Sequence, residues 1–165
     1  NNIMLKIRKF EEKDLPEMVE IWNHVVKEGN AFPQEEYLNE ETGKEFFSSQ
    51  SFSAVAEDEE TGGIVGLYIL HPNNIGRCGH ISNASYAVKF GLRGRRIGEA
   101  LVTDCIKRAG SLGFGVLQFN AVVATNKSAR HLYEKLGFIS LGTIKKGFRL
   151  DDGTYEDICP YYIEV

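Results

Sequence analysis

The most informative stretch of this sequence reads Tyr86-Ala-Val-Lys-Phe-Gly-Leu-Arg-Gly-Arg-Arg-Ile-Gly98. Apolar residues continue to Val88 as in a strand, a turn rich in glycine and arginine follows, and an amphipathic pattern begins at Ile97. The first N–H groups of a helix lack partners within the helix and carry a partial positive charge, so they bind phosphate. Gly94 and Gly98 let an anion and a neighbouring strand approach the backbone closely. The stretch therefore predicts a phosphate-binding turn between a strand and a helix.

Basic side chains in the same turn favour a di- or polyphosphate ligand, although a solvated helix start is the alternative interpretation. Four of them fall within eight residues: Lys89, Arg93, Arg95 and Arg96. Two familiar nucleotide motifs do not fit. Thr42-Gly43-Lys44-Glu45 lacks the preceding glycine and following Ser or Thr of a Walker A loop. Residues 91–98 do not follow the GxGxxG spacing of a dinucleotide fingerprint.

A second stretch, Asn126-Lys-Ser-Ala-Arg-His-Leu-Tyr-Glu-Lys-Leu-Gly-Phe138, predicts a short amphipathic helix. Its apolar residues fall on one stripe, and Gly137 suits the position after the helix. Considered alone, Tyr133 on that stripe would be a core residue.

The remaining chain has the patterns of short strands and amphipathic helices. We predict strands over 5–10, 52–56, 64–70, 81–89, 115–123, 138–144 and 158–164, and helices over 40–47, 97–109 and 128–136. A first helix begins at Asp14-Leu15-Pro16-Glu17, where Asp14 and Glu17 suit a capping box, and it ends at Gly29. This order predicts an α/β fold with a mixed sheet and helices on its faces.

Length and composition exclude several classes of protein. The 165 residues favour one domain over residues 4–165, with Met4 as a natural start and residues 1–3 as a cloning remnant. Nineteen Lys+Arg against 23 Asp+Glu give a net charge of −4, which excludes an overall basic surface for nucleic acid. No stretch approaches the ~18 apolar residues of a membrane span and no signal peptide is recognisable, so we expect a cytoplasmic location. Three cysteines without a CxxC pair predict reduced, buried thiols and no metal site.

Together the two stretches resemble the signatures of the GNAT superfamily of acyl-CoA-dependent N-acetyltransferases. The first signature, Val-x-Pro-x-x-(Arg/Gln)-x-x-Gly-x-(Gly/Ala), resembles residues 88–98, with Phe90 in place of the common Pro and Arg96 in place of the middle Gly. The second, Asn-x-x-Ala-x-x-Leu-Tyr-x-Lys-x-Gly-Phe, matches every fixed position from Asn126 to Phe138. Residues 31–35 and 80–84 further resemble a subgroup that includes phosphinothricin-type enzymes and those acetylating azetidine-2-carboxylate and related proline analogues.

The resemblance implies a mostly antiparallel central sheet with a splayed parallel strand pair, and acetyl-CoA as cosubstrate without a metal. The Val88 N–H would polarise the thioester carbonyl, and Tyr133 would protonate the departing CoA thiolate. Asn126 would contact the pantetheine arm, and Ser128 also belongs to the cofactor contacts. The pyrophosphate would be held by Arg93, Gly94, Arg95, Arg96, Ile97 and Gly98.

The acceptor is defined less sharply. Asn83 and Asn120 lie in otherwise apolar strands, where an amide is costly to bury unless it binds something. They suit a small, amino-acid-like amine, and two satisfied structural amides are the equal alternative. Tyr37, Tyr68 and Tyr86 either line such a pocket or pack. Candidates for the base that deprotonates the amine are Glu35, Glu36, His80 and ordered water.

Other functions remain open from the sequence. A protein N-terminus or lysine is the second choice of acceptor, and it would need an open groove over the sheet. A non-catalytic acyl-CoA sensor with this fold is the alternative from another class. A nucleic-acid binder using the basic cluster conflicts with the net charge and lacks interleaved aromatic residues. A homodimer is left open.

Overall fold

The computed structural model describes residues 3–92, 94 and 96–165. Its helices are α1 (Leu15–Glu28), α2 (Glu40–Ser48), α3 (Ile97–Ser111) and α4 (Lys127–Lys135). Its strands are β1 (Leu5–Lys9), β2 (Phe52–Asp58), β3 (Ile64–Pro72), β4 (Ile81–Val88), β5 (Val116–Phe119), β6 (Ile139–Ser140), β7 (Ile144–Arg149), β8 (Tyr155–Ile158) and β9 (Tyr161–Glu164).

Seven strands form one sheet in the order β1-β2-β3-β4-β5-β9-β6, and β7 and β8 form a separate hairpin. The pairs are antiparallel except for β4 and β5, which run parallel. That parallel pair is short, with rungs only from Ile81↔Val116 to Asn83↔Gln118. Beyond the last rung β4 continues to Val88 beside β3 alone. The predicted mixed, mostly antiparallel sheet with a splayed parallel pair is confirmed.

Helices cover both faces of the sheet. The apolar stripe of α1, which includes Met18 and Trp22, packs with α2 against residues such as Leu67 and Ala87. On the opposite face, Leu101 of α3 and Tyr133 of α4 belong to the second core cluster. Each of the four helices buries the apolar stripe that its periodicity predicts. An amphipathic helix is stable when its apolar side packs against another apolar surface.

The predicted capping box at the start of α1 is wrong. The Asp14 carboxylate makes no cap bond to α1; it accepts two hydrogen bonds from Arg8, at 2.7 and 2.9 Å, and one from the Glu11 N–H. Glu17 instead accepts from the Ile64 N–H on β3 at 2.9 Å. Gly29 does end the helix, in the left-handed conformation with φ 70°.

Four predicted boundaries also differ. The strand over 158–164 begins only at Tyr161, because Ile158 ends β8 and Cys159 and Pro160 lie between the two strands. The strand over 115–123 stops at Phe119, because the chain leaves the sheet there and returns only as an isolated bridge between Val123 and Ile158. The strand over 138–144 shrinks to Ile139–Ser140, and Gly142 then turns the chain with φ 100°. The following hairpin was not predicted, since β7 buries only Phe148 and so shows no alternation of apolar residues. Helix α3 runs through Gly110 to Ser111.

Two of the three predicted buried thiols are buried, Cys105 and Cys159, whereas Cys78 is exposed. Burial raises the pKa of Cys105, which suits a core position. Within the described residues, no helix has the length and apolar character needed to cross a membrane.

Candidate active site

The splay between β4 and β5 creates an opening where, among the described residues, the end of β4 pairs with β3 and not with β5. In the antiparallel ladder with β3, the Lys89 N–H donates to Val65 at 2.8 Å, and Val88 lies opposite Gly66. Hydrogen bonds to one neighbour alternate along an antiparallel strand. The N–H of Val88 therefore points away from β3, toward the side where β5 has already separated. This is where the oxyanion donor was predicted.

The predicted phosphate-binding turn leads directly into α3. The Ala100 N–H donates to Arg96, so the N–H groups of Ile97, Gly98 and Glu99 precede the first intrahelical bond. Arg96 precedes the helix at φ 61°, the left-handed conformation that glycine adopts without strain. Its side chain is exposed. Arg93 and Arg95, also predicted to hold the pyrophosphate, lie outside the described residues; Gly94 is described, exposed, and has φ 82°.

Gly98 allows the start of α3 to lie against β4. A Cβ atom at this position would be 3.4 Å from the Tyr86 ring and 3.9 Å from the Val88 side chain. A larger side chain would push the helix from the strand. The helix N-terminus and the Val88 N–H are therefore held side by side at the open end of the gap.

Tyr133 lies on the same side of the sheet, in the interior. Only 4% of its surface is exposed, and its ring stacks on Phe119 with centroids 4.6 Å apart. Its hydroxyl shares a hydrogen bond of 2.9 Å with the hydroxyl of Tyr86. Burial raises the pKa of Tyr133 well above its ordinary value, so the phenol is protonated at neutral pH and able to donate.

Asn126 and Ser128 lie at the exposed start of α4. The Asn126 Oδ1 accepts from the Ala129 N–H at 3.2 Å and so caps the helix, which leaves its Nδ2 as a donor. Helices α3 and α4 are joined by an ion pair in which Lys135 Nζ lies 2.8 Å from Glu99 Oε1. The two helices that carry the predicted cofactor contacts are thus linked at their surface.

Asn83 lies on the opposite face of the sheet from Tyr133. Its side chain points to the same face as that of Ala87, which packs against α1. Its direct neighbours across the strands are His71 and Gln118. Gln118 was not predicted as part of the site. Its position beside Asn83 follows from the register of β4 and β5, which the sequence does not reveal.

Asn120, the other predicted acceptor residue, immediately follows β5. Its Nδ2 donates to Asn73 Oδ1 at 2.6 Å, across 47 residues of sequence. Its own Oδ1 is buried and has no hydrogen-bond partner among the described residues. Buried polar atoms are rarely left unpaired, since the desolvation is not compensated. This oxygen is thus an acceptor without a partner among the described residues, and a bound molecule reaches it only when the atoms that cover it move.

None of the three side chains predicted as the base, Glu35, Glu36 and His80, is placed beside the Val88 N–H by a contact among the described residues. Glu35 is exposed and accepts a hydrogen bond of 2.6 Å from Arg149, and Glu36 is also exposed. His80 precedes the first residue of β4, whereas Val88 ends that strand. At about 3.3 Å per residue, His80 lies some 25 Å along the strand from Val88.

The three tyrosines proposed as pocket residues have different surroundings. Tyr68 is fully buried and its hydroxyl donates to Asp104 at 2.6 Å, so it packs. Tyr37 is 61% exposed. Tyr86 faces Tyr133, a contact that the sequence did not predict because the two residues lie 47 positions apart.

Two grooves lie on the surface of the described structure. One, of about 380 Å³, begins at Arg96 and Glu99 and runs along α3 to Lys107; the other, of about 320 Å³, lies between β1 and α2. Among the described residues, no group of three or more His, Cys, Asp or Glu side chains is placed to hold a metal.

Comparisons with known proteins agree with this geometry. The sequence of residues 15–138 matches the Acetyltransferase (GNAT) family. N-acetyltransferase aca1 of Schizosaccharomyces pombe is 29% identical over 157 residues, which covers 86% of this chain and 75% of that protein. YwnH of Bacillus subtilis, provisionally named a phosphinothricin acetyltransferase, is 27% identical over 157 residues, covering 92% and 94%.

Solved structures share the whole fold. A GCN5-related N-acetyltransferase from Kribbella flavida superposes with a TM-score of 0.87 at 31% identity, over 98% of each chain. Other structures of this fold, with TM-scores of 0.88 and 0.89, were solved with acetyl-CoA. The family match spans most of the chain and the structural match nearly all of it, so this protein belongs to the GNAT family of acetyltransferases.

Proposed function

We propose that this chain transfers the acetyl group of acetyl-CoA to the amine of a small, amino-acid-like acceptor. The observation that carries the proposal is the opening between β4 and β5, with the Val88 N–H directed into it and Tyr133 on one side. Family membership supports the acetyl transfer, and the acetyl-CoA complexes of the same fold support the cosubstrate.

We propose that the N-terminus of α3 holds the pyrophosphate of CoA. Backbone N–H groups at Ile97 and Gly98 would supply most of the binding, because such donors bind phosphate whatever the side chain. Gly94 and Arg96 belong to the same turn, and Arg93 and Arg95, which lie outside the described residues, stay predicted contacts. Asn126 Nδ2 and the Ser128 hydroxyl would contact the cosubstrate from the start of α4.

We propose that the transfer is direct. The amine nitrogen attacks the thioester carbonyl carbon, the carbonyl oxygen takes up negative charge beside the Val88 N–H, and the C–S bond breaks. Tyr133 gives its proton to the sulphur as general acid, and the amine loses a proton to water. No acyl-enzyme is needed, in keeping with the burial of Cys105.

Asn83 and Asn120 are proposed to bind the acceptor on the face opposite Tyr133. The unpaired Asn120 Oδ1 suits an N–H or O–H of a bound molecule, and Asn83 offers an amide between His71 and Gln118. The provisional name of YwnH supports an amino-acid-like acceptor. We also propose that residues 4–165 form one domain; the cytoplasmic location and the homodimer stay predictions.

The test is a thermal-shift titration with acetyl-CoA, CoA and ATP, followed by a thiol-release assay. A ligand at ~100 times its Kd stabilises the fold by about 2.7 kcal/mol. We expect acetyl-CoA and CoA, and not ATP, to raise Tm, and amino acids and their analogues to release thiol. Thiol release with peptides but not with amino acids would show that the acceptor is a protein. Binding of acetyl-CoA without thiol release for any acceptor would indicate a non-catalytic sensor. No shift at millimolar acetyl-CoA would overturn the proposal.

A further inference from the structure

Tyr86 and Tyr133 meet across the open part of the gap. Tyr86 lies on β4 beyond the last rung to β5, and Tyr133 projects from α4. Their hydroxyl oxygens are 2.9 Å apart, while their rings are nearly perpendicular with centroids 6.4 Å apart. The hydroxyl groups therefore make a specific hydrogen bond that ring packing alone does not require.

The geometry allows either hydroxyl to donate in this bond, and the proposed role of Tyr133 as general acid selects the direction. Each phenol carries one proton, so only one hydroxyl can donate to the other. If Tyr133 donated to Tyr86, its proton would be occupied and not available to a leaving thiolate. The productive arrangement has Tyr86 donating and the Tyr133 oxygen accepting.

We infer that Tyr86 is a positioning residue for Tyr133. Its hydroxyl donates to Tyr133 Oη, directs the Tyr133 proton toward the leaving sulphur, and stabilises the phenolate that remains. The inference rests on the proposed function, because it takes Tyr133 as the acid. In this step the proton moves from Tyr133 Oη to the sulphur as the C–S bond breaks. Tyr86 keeps its proton, and water later returns one to Tyr133.

The groups around the Tyr133 ring make a hydrogen bond from Tyr86 important for stabilising the phenolate. Phe119 and Phe138 pack against the Tyr133 ring and offer no hydrogen bond. Tyr161 contacts Tyr133 through its ring, with centroids 5.4 Å apart, and its hydroxyl binds Arg130 Nε at 2.9 Å; among the described residues, the hydroxyl group bonded to Tyr133 is that of Tyr86. A phenolate in such apolar surroundings is costly unless a donor faces it, and a hydrogen bond to a charged oxygen is about twice as strong as one between neutral groups.

The experiment compares Tyr86→Phe, Tyr133→Phe and the double variant by thiol release with saturating acetyl-CoA and the best acceptor found. Phe keeps the ring and removes only the hydroxyl. We expect Tyr86→Phe to lower kcat by about 10- to 100-fold, the loss of one hydrogen bond to a charged group. KM for acetyl-CoA should stay within about twofold, since the bond acts only when charge develops. In the Tyr133→Phe background the same change should have almost no effect.

Tyr161→Phe is the matched control, because it removes another buried hydroxyl whose ring lies 5.4 Å from that of Tyr133. Its kcat should stay near wild type, and thermal unfolding checks that each variant folds. A near wild-type kcat for Tyr86→Phe beside a large loss for Tyr133→Phe would overturn the inference and leave the proposed function standing. Losses that multiply in the double variant would also overturn it. A near wild-type Tyr133→Phe would overturn the proposed acid itself.

Discussion

Arg149 on β7 donates a hydrogen bond of 2.6 Å to Glu35, which lies in the connection between α1 and α2. The two segments meet again at Gly29, where a Cβ atom would lie 2.9 Å from the Asp151 carboxylate. The same hairpin bridges Val123 through Ile158, shortly after Asn120. The hairpin therefore joins the α1–α2 connection to the strand end that carries a proposed acceptor residue.

Arg149→Ala should weaken acceptor binding more than cosubstrate binding. Exposed ion pairs stabilise little, so Tm should change hardly at all. The hairpin would lose its tie to the α1–α2 connection, and we expect KM for the acceptor to rise severalfold while KM for acetyl-CoA stays constant. Steady-state thiol release measures both constants. Lys145→Ala, which removes a cation from the same hairpin, is the control; an equal effect of both variants would contradict the prediction.

Val88→Pro should remove the proposed oxyanion donor without removing a ladder bond, because the Val88 N–H points away from β3. Loss of one such donor lowers kcat by roughly 10²- to 10³-fold. Acetyl-CoA should still raise Tm in the thermal-shift assay. Lys89→Pro is the contrasting variant, since it removes the N–H that donates to Val65 and should cost stability. Turnover by Val88→Pro close to wild type would show that another group binds the oxygen.

Arg96 occupies a backbone conformation that favours glycine, with φ 61°. Arg96→Gly should be more stable than Arg96→Ala by about 1 kcal/mol, because only the alanine retains the left-handed strain. Chemical denaturation of the two variants measures the difference. If backbone N–H groups hold the pyrophosphate, the Kd for CoA should change by less than about tenfold in either variant. A complete loss of CoA binding in both would instead make the Arg96 side chain essential.

Asp14 should make the protein sensitive to acid. Burial alone would raise the pKa of Asp14, but hydrogen bonds from Arg8 and from the Glu11 N–H hold it below its ordinary value. The folded state therefore binds this proton less readily than the unfolded state, whose Asp pKa is about 3.9. Its contribution to stability is complete above about pH 4 and is lost as the pH falls further.

Asp14→Asn tests that assignment by urea denaturation at several pH values. Arg8 keeps its ion pair with Glu57 in this variant, so we expect the loss of a charge-assisted hydrogen bond, about 1.5–3 kcal/mol at neutral pH. The variant should also lose less stability than wild type between about pH 4 and pH 2. An unchanged acid dependence would assign the effect to other carboxylates. Glu12→Gln, which removes the exposed partner of Lys44, is the control.

The sequence alone was enough to predict the elements whose signals are local. Periodicity located all four helices, the first five strands and the turn into α3, since an amphipathic stripe and a glycine at a helix end depend on neighbours within a few residues. The two long motifs led to the family because their spacing is fixed by one strand, one turn and one helix. The predicted capping box failed because Arg8 on β1, which lies outside the helical pattern, binds the Asp14 carboxylate.

Contacts between distant segments were decided by the tertiary structure. The Tyr86–Tyr133 bond, the placement of Gln118 beside Asn83 and the Asn73–Asn120 bond join residues 35 or more positions apart. These contacts depend on the strand register and on the separation of β4 from β5. Neither property produces a repeating pattern of apolar residues that the sequence would show. Hairpin β7–β8 was missed for the same reason: it is held by Phe148, Ile158 and Val123, a small cluster that exists only once the chain has folded.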